Sequence, residues 1–260
     1  MRTAPPPAAV ETARPTFERR RLRLADGVAT TAHVARFGRS EFDLRVVALR
    51  PCATVLGWCE RSGAEHAIVG GFYMRPGGPA LGDLWIDGRA LATEPFDAPW
   101  HEQRACVQAG GGKVRLAARR ELGKVPNGDL LHAGPMLVAD GQPLVREGVD
   151  AEGFSAGSHQ FDSDIAAGRY PRAALGLCAR DLIAVVCDGR ADDEAGLTMA
   201  ELATAMAGLG AEAAINLDGG GSASLVVGGT LVNTPREEHG LELAGGREVA
   251  TALHFAPRPA

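Results

Sequence analysis

Lysine is almost missing from this chain. Lys113 and Lys124 are the only two, and arginine supplies the rest of the 27 basic residues. Against 32 acidic residues they leave a formal charge of −5, so there is no basic field to hold a nucleic-acid backbone. Aromatic residues are scarce as well, at 5%. No apolar run approaches the roughly 20 residues of a membrane span. Nor do the first residues contain the apolar stretch of about 7–15 residues found in an export signal. These absences lead us to expect a cytoplasmic protein with neither a membrane nor a nucleic acid as partner. The five cysteines, Cys52, Cys59, Cys106, Cys178 and Cys187, form no C-x-x-C pair, which argues against a zinc centre. Cys52 and Cys59 are close enough to pair, but without an export signal free thiols are the expectation.

What is present describes a folded, loop-rich chain. Hydrophobic residues make up 45% of 260, too many for disorder as a whole. Thirty-four glycines and 16 prolines imply short elements and many turns. We expect an α+β fold: a single domain with a mixed β-sheet core and few helices. Residues 1–20, which contain Pro5, Pro6, Pro7 and the basic patch at Arg19 and Arg20, read as a flexible tail before a domain spanning 21–260. No internal repeat or long linker divides the chain. Oligomeric state is not readable from it.

The last third is the most legible. Leu182 to Cys187 is an apolar, strand-like run that stops at Asp188-Gly189-Arg190. A helix follows: Thr198 is an N-cap, Glu201 completes a capping box, and Leu197 can staple onto Leu202. Met199, Leu202, Met206 and Leu209 recur at helical spacing, and Gly210 closes the helix. A second apolar strand, Ala213 to Leu217, ends at Asp218 and three glycines. If the two strands are parallel neighbours, Asp188 and Asp218 reach the same edge of the sheet, where ligands tend to bind.

Alternation along a strand would point Asn216 and Asp218 together. An amide beside a carboxylate can bind sugar hydroxyls or hold a water. Gly219, Gly220 and Gly221 can present successive backbone N–H groups to an anion, with the Ser222 hydroxyl beside them. A plain glycine-rich hairpin is the alternative. The Gly-Lys-Ser/Thr ending of a nucleotide-binding loop is lacking, as is the Gly-x-Ser-x-Gly elbow of a serine hydrolase. Asp192, Asp193 and Glu194 could hold a divalent cation, although such runs are mostly solvated; no metal or cofactor is expected. His66, His101 and His132 read as structural histidines. His159, Asp162 and Asp164 read as a solvated turn or a substrate loop.

The stretch Ile215-Asn216-Leu217-Asp218-Gly219-Gly220-Gly221-Ser222-Ala223 resembles the signature of the phosphodiester glycosidase family. Weaker blocks stand in the family's order: Gly71-Phe72-Tyr73-Met74-Arg75, Ile86-Asp87-Gly88, Gly134-Pro135-Met136-Leu137, Arg172-Ala173-Ala174-Leu175-Gly176, Asp188-Gly189-Arg190 and the segment from Arg247 to Leu253. The resemblance spans His66 to Phe255. Three positions depart from it: Val69 replaces an asparagine, Tyr73 a phenylalanine and Ala173 a threonine. The resemblance implies hydrolysis of a sugar-1-phosphodiester, a small-molecule substrate. Asp218, Asp188, Asn216 and Arg172 would then be catalytic, with Arg172 on phosphate. Gly219, Gly220, Gly221, Ser222, Gly71, Phe72 and Arg190 would bind substrate. Two alternatives stay open: a tailoring hydrolase for a different phosphoryl or modified substrate, and an inactive carbohydrate- or phosphate-binding protein.

Overall fold

The computed structural model describes residues 13–146, 149–154 and 168–259. His159, Asp162 and Asp164 lie outside them. Strands are numbered along the chain. The largest sheet runs in the order β1 (Thr16–Arg23), β2 (Ala29–Gly38), β13 (Asp181–Cys187), β12 (Arg172–Leu177), β14 (Ala213–Asn216), β10 (Met136–Ala139), β11 (Gln142–Pro143). A second sheet runs β16 (Thr230–Leu231), β15 (Leu225–Val227), β4 (Ala67–Val69), β17 (Val249–Pro257), β3 (Phe42–Ala53). A third runs β6 (Arg89–Ala90), β5 (Leu84–Ile86), β9 (Asp129–His132), β7 (Ala105–Gly110), β8 (Lys113–Ala118). The helices are α1 (Val55–Ser62), α2 (Trp100–Gln103) and α3 (Met199–Gly208).

Strand alternation explains how these layers stack. Ala35, Phe37, Ala173, Leu175, Ala184, Val186 and Ile215 of the large sheet face one core, joined by Val46, Ile68, Leu253 and Phe255 of the second sheet and Val107 and Leu131 of the third. The alternate residues, Val34, Ala174, Ile183, Val185 and Ala214, face Met199, Leu202, Ala203 and Met206 of α3. The central strands β13, β12 and β14 of the large sheet are therefore apolar on both sides, as their unbroken hydrophobic runs require. Helix α3 begins with the expected capping box, and Leu197 joins Leu202 in its core. Gly210, at φ +87°, leaves it in the left-handed conformation.

Three expectations are corrected. The α+β single domain with few helices stands in its coarse form, with β structure predominating, but every pairing between named strands is antiparallel, so the sheets are not mixed. β13 and β14 are not neighbours, because β12 lies between them and pairs with both. The domain also begins before residue 21: Thr16–Arg23 is a full edge strand paired along β2, since its backbone finds partners even though its side chains stay exposed. All five cysteines are free thiols. No helix among the described residues is long and apolar enough to cross a membrane.

Candidate active site

Because β13 and β14 both run antiparallel to β12, they run parallel to each other and end on one edge of the sheet. Asp188, Arg172 at the start of β12, and Asp218 thus succeed one another along that edge. Two strand spacings, roughly 10 Å, separate the outer two strands.

The two aspartates meet different fates. Asp188 is 7% exposed and both its carboxylate oxygens are taken. Oδ2 lies 2.7 Å from Nε2 of His33, and Oδ1 accepts the Thr234 N–H at 3.0 Å. It braces the 232–235 turn from behind and is not the second carboxylate beside Asp218. Arg172, 3% exposed, donates through Nε to the Leu197 carbonyl and through Nη2 to the Gly168 carbonyl, 2.8 Å each. Burial pushes its pKa down to about 10. Its fork holds backbone, so its expected direct contact with phosphate is replaced by a bracing role. Phe72 is corrected too: it packs with Leu81, Phe96 and Phe154 in a buried cluster.

Asn216 ends β14. Its amide donates to the Gly134 carbonyl at 2.9 Å, and its buried Oδ1 has no hydrogen-bond partner among the described residues. Asp218, beyond the strand end, engages the Gly219 N–H and Ser222.

Two of the three glycine N–H groups of the run, those of Gly219 and Gly220, are used within the protein and are not offered to a ligand. Gly219 N–H donates to Asp218 Oδ1, Gly220 N–H to the Pro171 carbonyl and Ser222 N–H to the Gly219 carbonyl. Two of these donors are used inside the turn, and the Gly220 N–H ties it to the residue before β12. The glycines serve close approach: a Cβ at Gly219 would stand 2.8 Å from the Pro171 oxygen, and one at Gly221 2.9 Å from Nη2 of Arg247. Gly70 and Gly71 act alike on the other side. Gly70 accepts the Asp218 N–H, Gly71 donates to Thr251 Oγ1, and a Cβ at Gly71 would fall 2.2 Å from the His132 carbonyl. Val69 sits fully buried in the core, so its difference from the family pattern does not alter the site lining.

The groups that do gather around Asp218 are Tyr73, Arg75, Ser222, Glu237 and Arg247. Arg247 donates through Nε to Glu237 Oε1 at 2.7 Å, again through Nη2 to the same oxygen, and through Nη1 to Ser222 Oγ at 3.3 Å. Arg190 closes the other side. It holds a left-handed backbone (φ +60°), donates to the Arg236 carbonyl, lies 3.8 Å from Glu237 and stacks near Tyr170. A non-glycine residue in that region persists only where its surroundings hold it. Loss of water raises the Asp218 pKa to about 6, against the pull of Ser222, Arg247, the Gly219 N–H and Arg75. Glu237 moves the other way: its bond to Arg247 holds it below the usual carboxylate range, with Arg190 and Arg75 adding to the effect. Glu237 was missed in the sequence because it stands in a polar turn outside every block. Arg247 and Tyr73 fell within blocks but carried no visible role.

No cation site emerges from the acidic run. Glu194 accepts from Thr31 N–H and Oγ1 at 2.6 and 2.7 Å and pairs with Arg21. Asp83, His101 and His132 do bring ligand atoms within 4.8 Å of one another. Yet His132 Nδ1 accepts the Asp83 N–H, and its Nε2 donates to the His101 carbonyl, so both ring nitrogens are used. Asp83 is paired with Arg119. Burial, then His101, presses the His132 pKa down to about 3, so it stays neutral.

The site thus brings two carboxylates, Asp218 and Glu237, together with three arginines, Arg75, Arg190 and Arg247. The chain belongs to the phosphodiester glycosidase family, whose pattern it matches over residues 62–256. Among solved structures it is similar to the catalytic domain of zebrafish N-acetylglucosamine-1-phosphodiester alpha-N-acetylglucosaminidase, auto-inhibited by its pro-peptide. That likeness has a TM-score of 0.73 at 17% identity, covering 96% of this chain and 85% of that one. A hypothetical protein from Synechocystis has a TM-score of 0.65 at 16% identity, covering 94% of this chain and 62% of that one. A putative exported protein from Burkholderia pseudomallei has a TM-score of 0.62 at 18% identity, with 88% and 74% covered. At these identities the likenesses establish the fold. No curated protein matches the sequence.

Proposed function

We propose that this protein hydrolyses a glycosyl phosphodiester, breaking the bond between the anomeric carbon and the phosphate oxygen. One observation carries the reading: Asp218 and Glu237 flank a single guanidinium, Arg247, yet their protonation is pushed in opposite directions. Two carboxylates separated in this way are suited to different tasks at one centre.

Asp218, ionised above pH 6 or so, takes a proton from the water that attacks the anomeric carbon. The electron pair of the broken C–O bond leaves on the phosphate oxygen. A phosphate ester departs readily, so no strong general acid is required. Arg247, Arg190 and Arg75 face the single charge of the diester and the second charge of the departing monoester. Glu237 stays ionised and fixes Arg247, Arg172 braces the backbone behind the turn, and Ser222 and Asn216 order the polar wall.

The test is a panel of sugar-1-phosphodiesters, sugar nucleotides and sugar-free phosphodiesters, with wild type and Asp218→Ala. Free sugar released by wild type and not by the variant supports the proposal. Cleavage of only the sugar-free esters favours a tailoring hydrolase. Stabilisation by ligands without any turnover favours a binding protein.

A further inference from the structure

The family pattern begins at residue 62, so strands β1 and β2 lie outside it. They nevertheless hold the loop that carries Arg190. That loop leaves β13 at Asp188 and is tied to β2 at both ends. The Asp188 N–H donates to the Thr31 carbonyl at 2.9 Å, Thr30 Oγ1 to the Asp188 carbonyl at 2.7 Å, and the Ala195 N–H to the Ala29 carbonyl at 3.0 Å. Between these ties, Ala191 and Glu194 face each other across a tight turn and exchange backbone hydrogen bonds at 3.0 and 3.3 Å. The Glu194 carboxylate anchors the turn. Its Oε2 accepts the Thr31 N–H at 2.6 Å, and its Oε1 accepts Thr31 Oγ1 at 2.7 Å and Arg21 Nη1 at 2.5 Å. Arg21 also donates through Nη2 to the Asp193 carbonyl, so one guanidinium of the edge strand grips two residues of the turn. An exposed ion pair contributes little alone. Glu194 differs, because its side chain is only 12% exposed and three donors converge on its charge.

We propose that the two N-terminal strands complete the site: Arg21 and Glu194 are positioning residues that fix the turn after Arg190 and thereby hold its guanidinium beside Glu237. Arg190 stands directly before Ala191 in a left-handed backbone, which a non-glycine residue keeps only where its neighbours impose it. The Ala191 N–H, the next donor along the chain, is committed to the Glu194 carbonyl. On the other side Gly240 hems the Arg190 carbonyl, since a Cβ there would stand 2.9 Å from it. With its backbone held from both sides, Arg190 reaches the Arg236 carbonyl at 3.2 Å and Glu237 at 3.8 Å. Release of the turn lets Arg190 relax to ordinary backbone angles, and that rotation swings the guanidinium away from Glu237. Only the importance of Arg190 for a glycosyl phosphodiester rests on the proposed function; the anchoring does not.

The experiment uses the full chain and two readouts. One is the Arg190 Nε–H resonance in nitrogen-15 NMR, assigned with Arg190→Lys. The other is affinity for inorganic phosphate, measured by calorimetry. Arg21→Ala, Glu194→Gln, Arg190→Ala and the Glu194→Gln, Arg190→Ala double variant are compared with wild type. Arg21→Ala guards against a folding defect, since that side chain is 45% exposed and its loss opens no cavity. Arg21→Ala and Glu194→Gln are each expected to shift the Arg190 resonance and to weaken phosphate binding by about three- to tenfold, against about tenfold or more for Arg190→Ala. In the Arg190→Ala background Glu194→Gln should cost less than about twofold, because its effect passes through Arg190. An Arg190 resonance unmoved in both variants overturns the proposal. So does a Glu194→Gln loss that persists undiminished without Arg190, which is what a merely structural role would give. If wild type binds no phosphate, the resonance alone decides the proposal, and the hydrolase reading loses its anion site. If phosphate binding depends on Arg190 but on neither Arg21 nor Glu194, the hydrolase reading stands and the positioning role falls.

Discussion

Arg247 places both Nε and Nη2 on one oxygen of Glu237, leaving the other oxygen of that carboxylate on the side of Arg190. The guanidinium is thereby fixed by a partner other than Asp218, while its charge still reaches Asp218. Arg247→Leu removes a cation that favours ionised Asp218, so the Asp218 pKa should climb above 6. The acid limb of the pH–rate profile should move upward. Affinity for inorganic phosphate should fall by about tenfold or more, measured by calorimetry.

Asp218 should also cost stability where it is charged. Its folded pKa of about 6 lies above its ordinary value of 3.8, so the folded state holds its proton more tightly than the unfolded chain. The penalty is absent below pH 4 or so, grows as pH rises through that window, and is complete above pH 6, at most about 3 kcal/mol. Asp218→Asn should accordingly raise the melting temperature at pH 7.5 and leave it nearly unchanged at pH 4, while abolishing turnover. A variant equally destabilised at both pH values would show that the carboxylate holds the fold together.

Asp188 is expected to behave as a structural residue. Asp188→Ala strands the buried His33 ring and the Thr234 N–H, a loss of about 3 kcal/mol of the kind seen when one partner of a buried pair is removed. Thermal unfolding should register this in full. Turnover at low temperature, corrected for the folded fraction, should drop far less than in Asp218→Ala. Equal losses in the two variants would return Asp188 to the chemistry.

Glu152 supplies a second pH dependence, away from the site. It accepts the Ala105 and Met136 N–H groups at 2.8 and 2.7 Å, while Arg104 donates to its carbonyl from between the Phe96 and Phe154 rings. Burial raises its pKa from 4.5 to about 7, against those bonds. The folded state again binds the proton more tightly, so stability should decline as pH rises from about 4.5 through 7, by about 3 kcal/mol in full. Glu152→Gln should flatten that slope in chemical denaturation across this range.

Gly71 tests close approach. Alanine there would put its Cβ 2.2 Å from the His132 carbonyl, a backbone atom that cannot turn aside. A loss of about 3 kcal/mol, or a fall of roughly 5–10 °C in Tm, is expected. Gly88→Ala, with open space around it, should lose less, and its cost should come from its positive φ alone.

Local patterns were readable wherever short-range chemistry dictates structure. The capping box at Thr198 and Glu201, the left-handed Gly210 and the apolar run of β13 all follow from residues a few positions apart. The ordered blocks likewise identified the family and brought Asp218 forward. Only the tertiary structure decided what each polar group near that edge does. Asp188 and Asp218 look alike as aspartates before glycine, but His33 and Thr234, both distant in sequence, close around the first. The second is left beside Ser222 and Arg247. Gly219 and Gly220 look like an anion cradle until Asp218 and Pro171 take their N–H groups. Glu237 carried no signal, because its partner Arg247 reaches it from across a turn. Backbone propensity acts over a few residues, whereas desolvation and charge pairing depend on which distant segments a fold brings within a few ångströms.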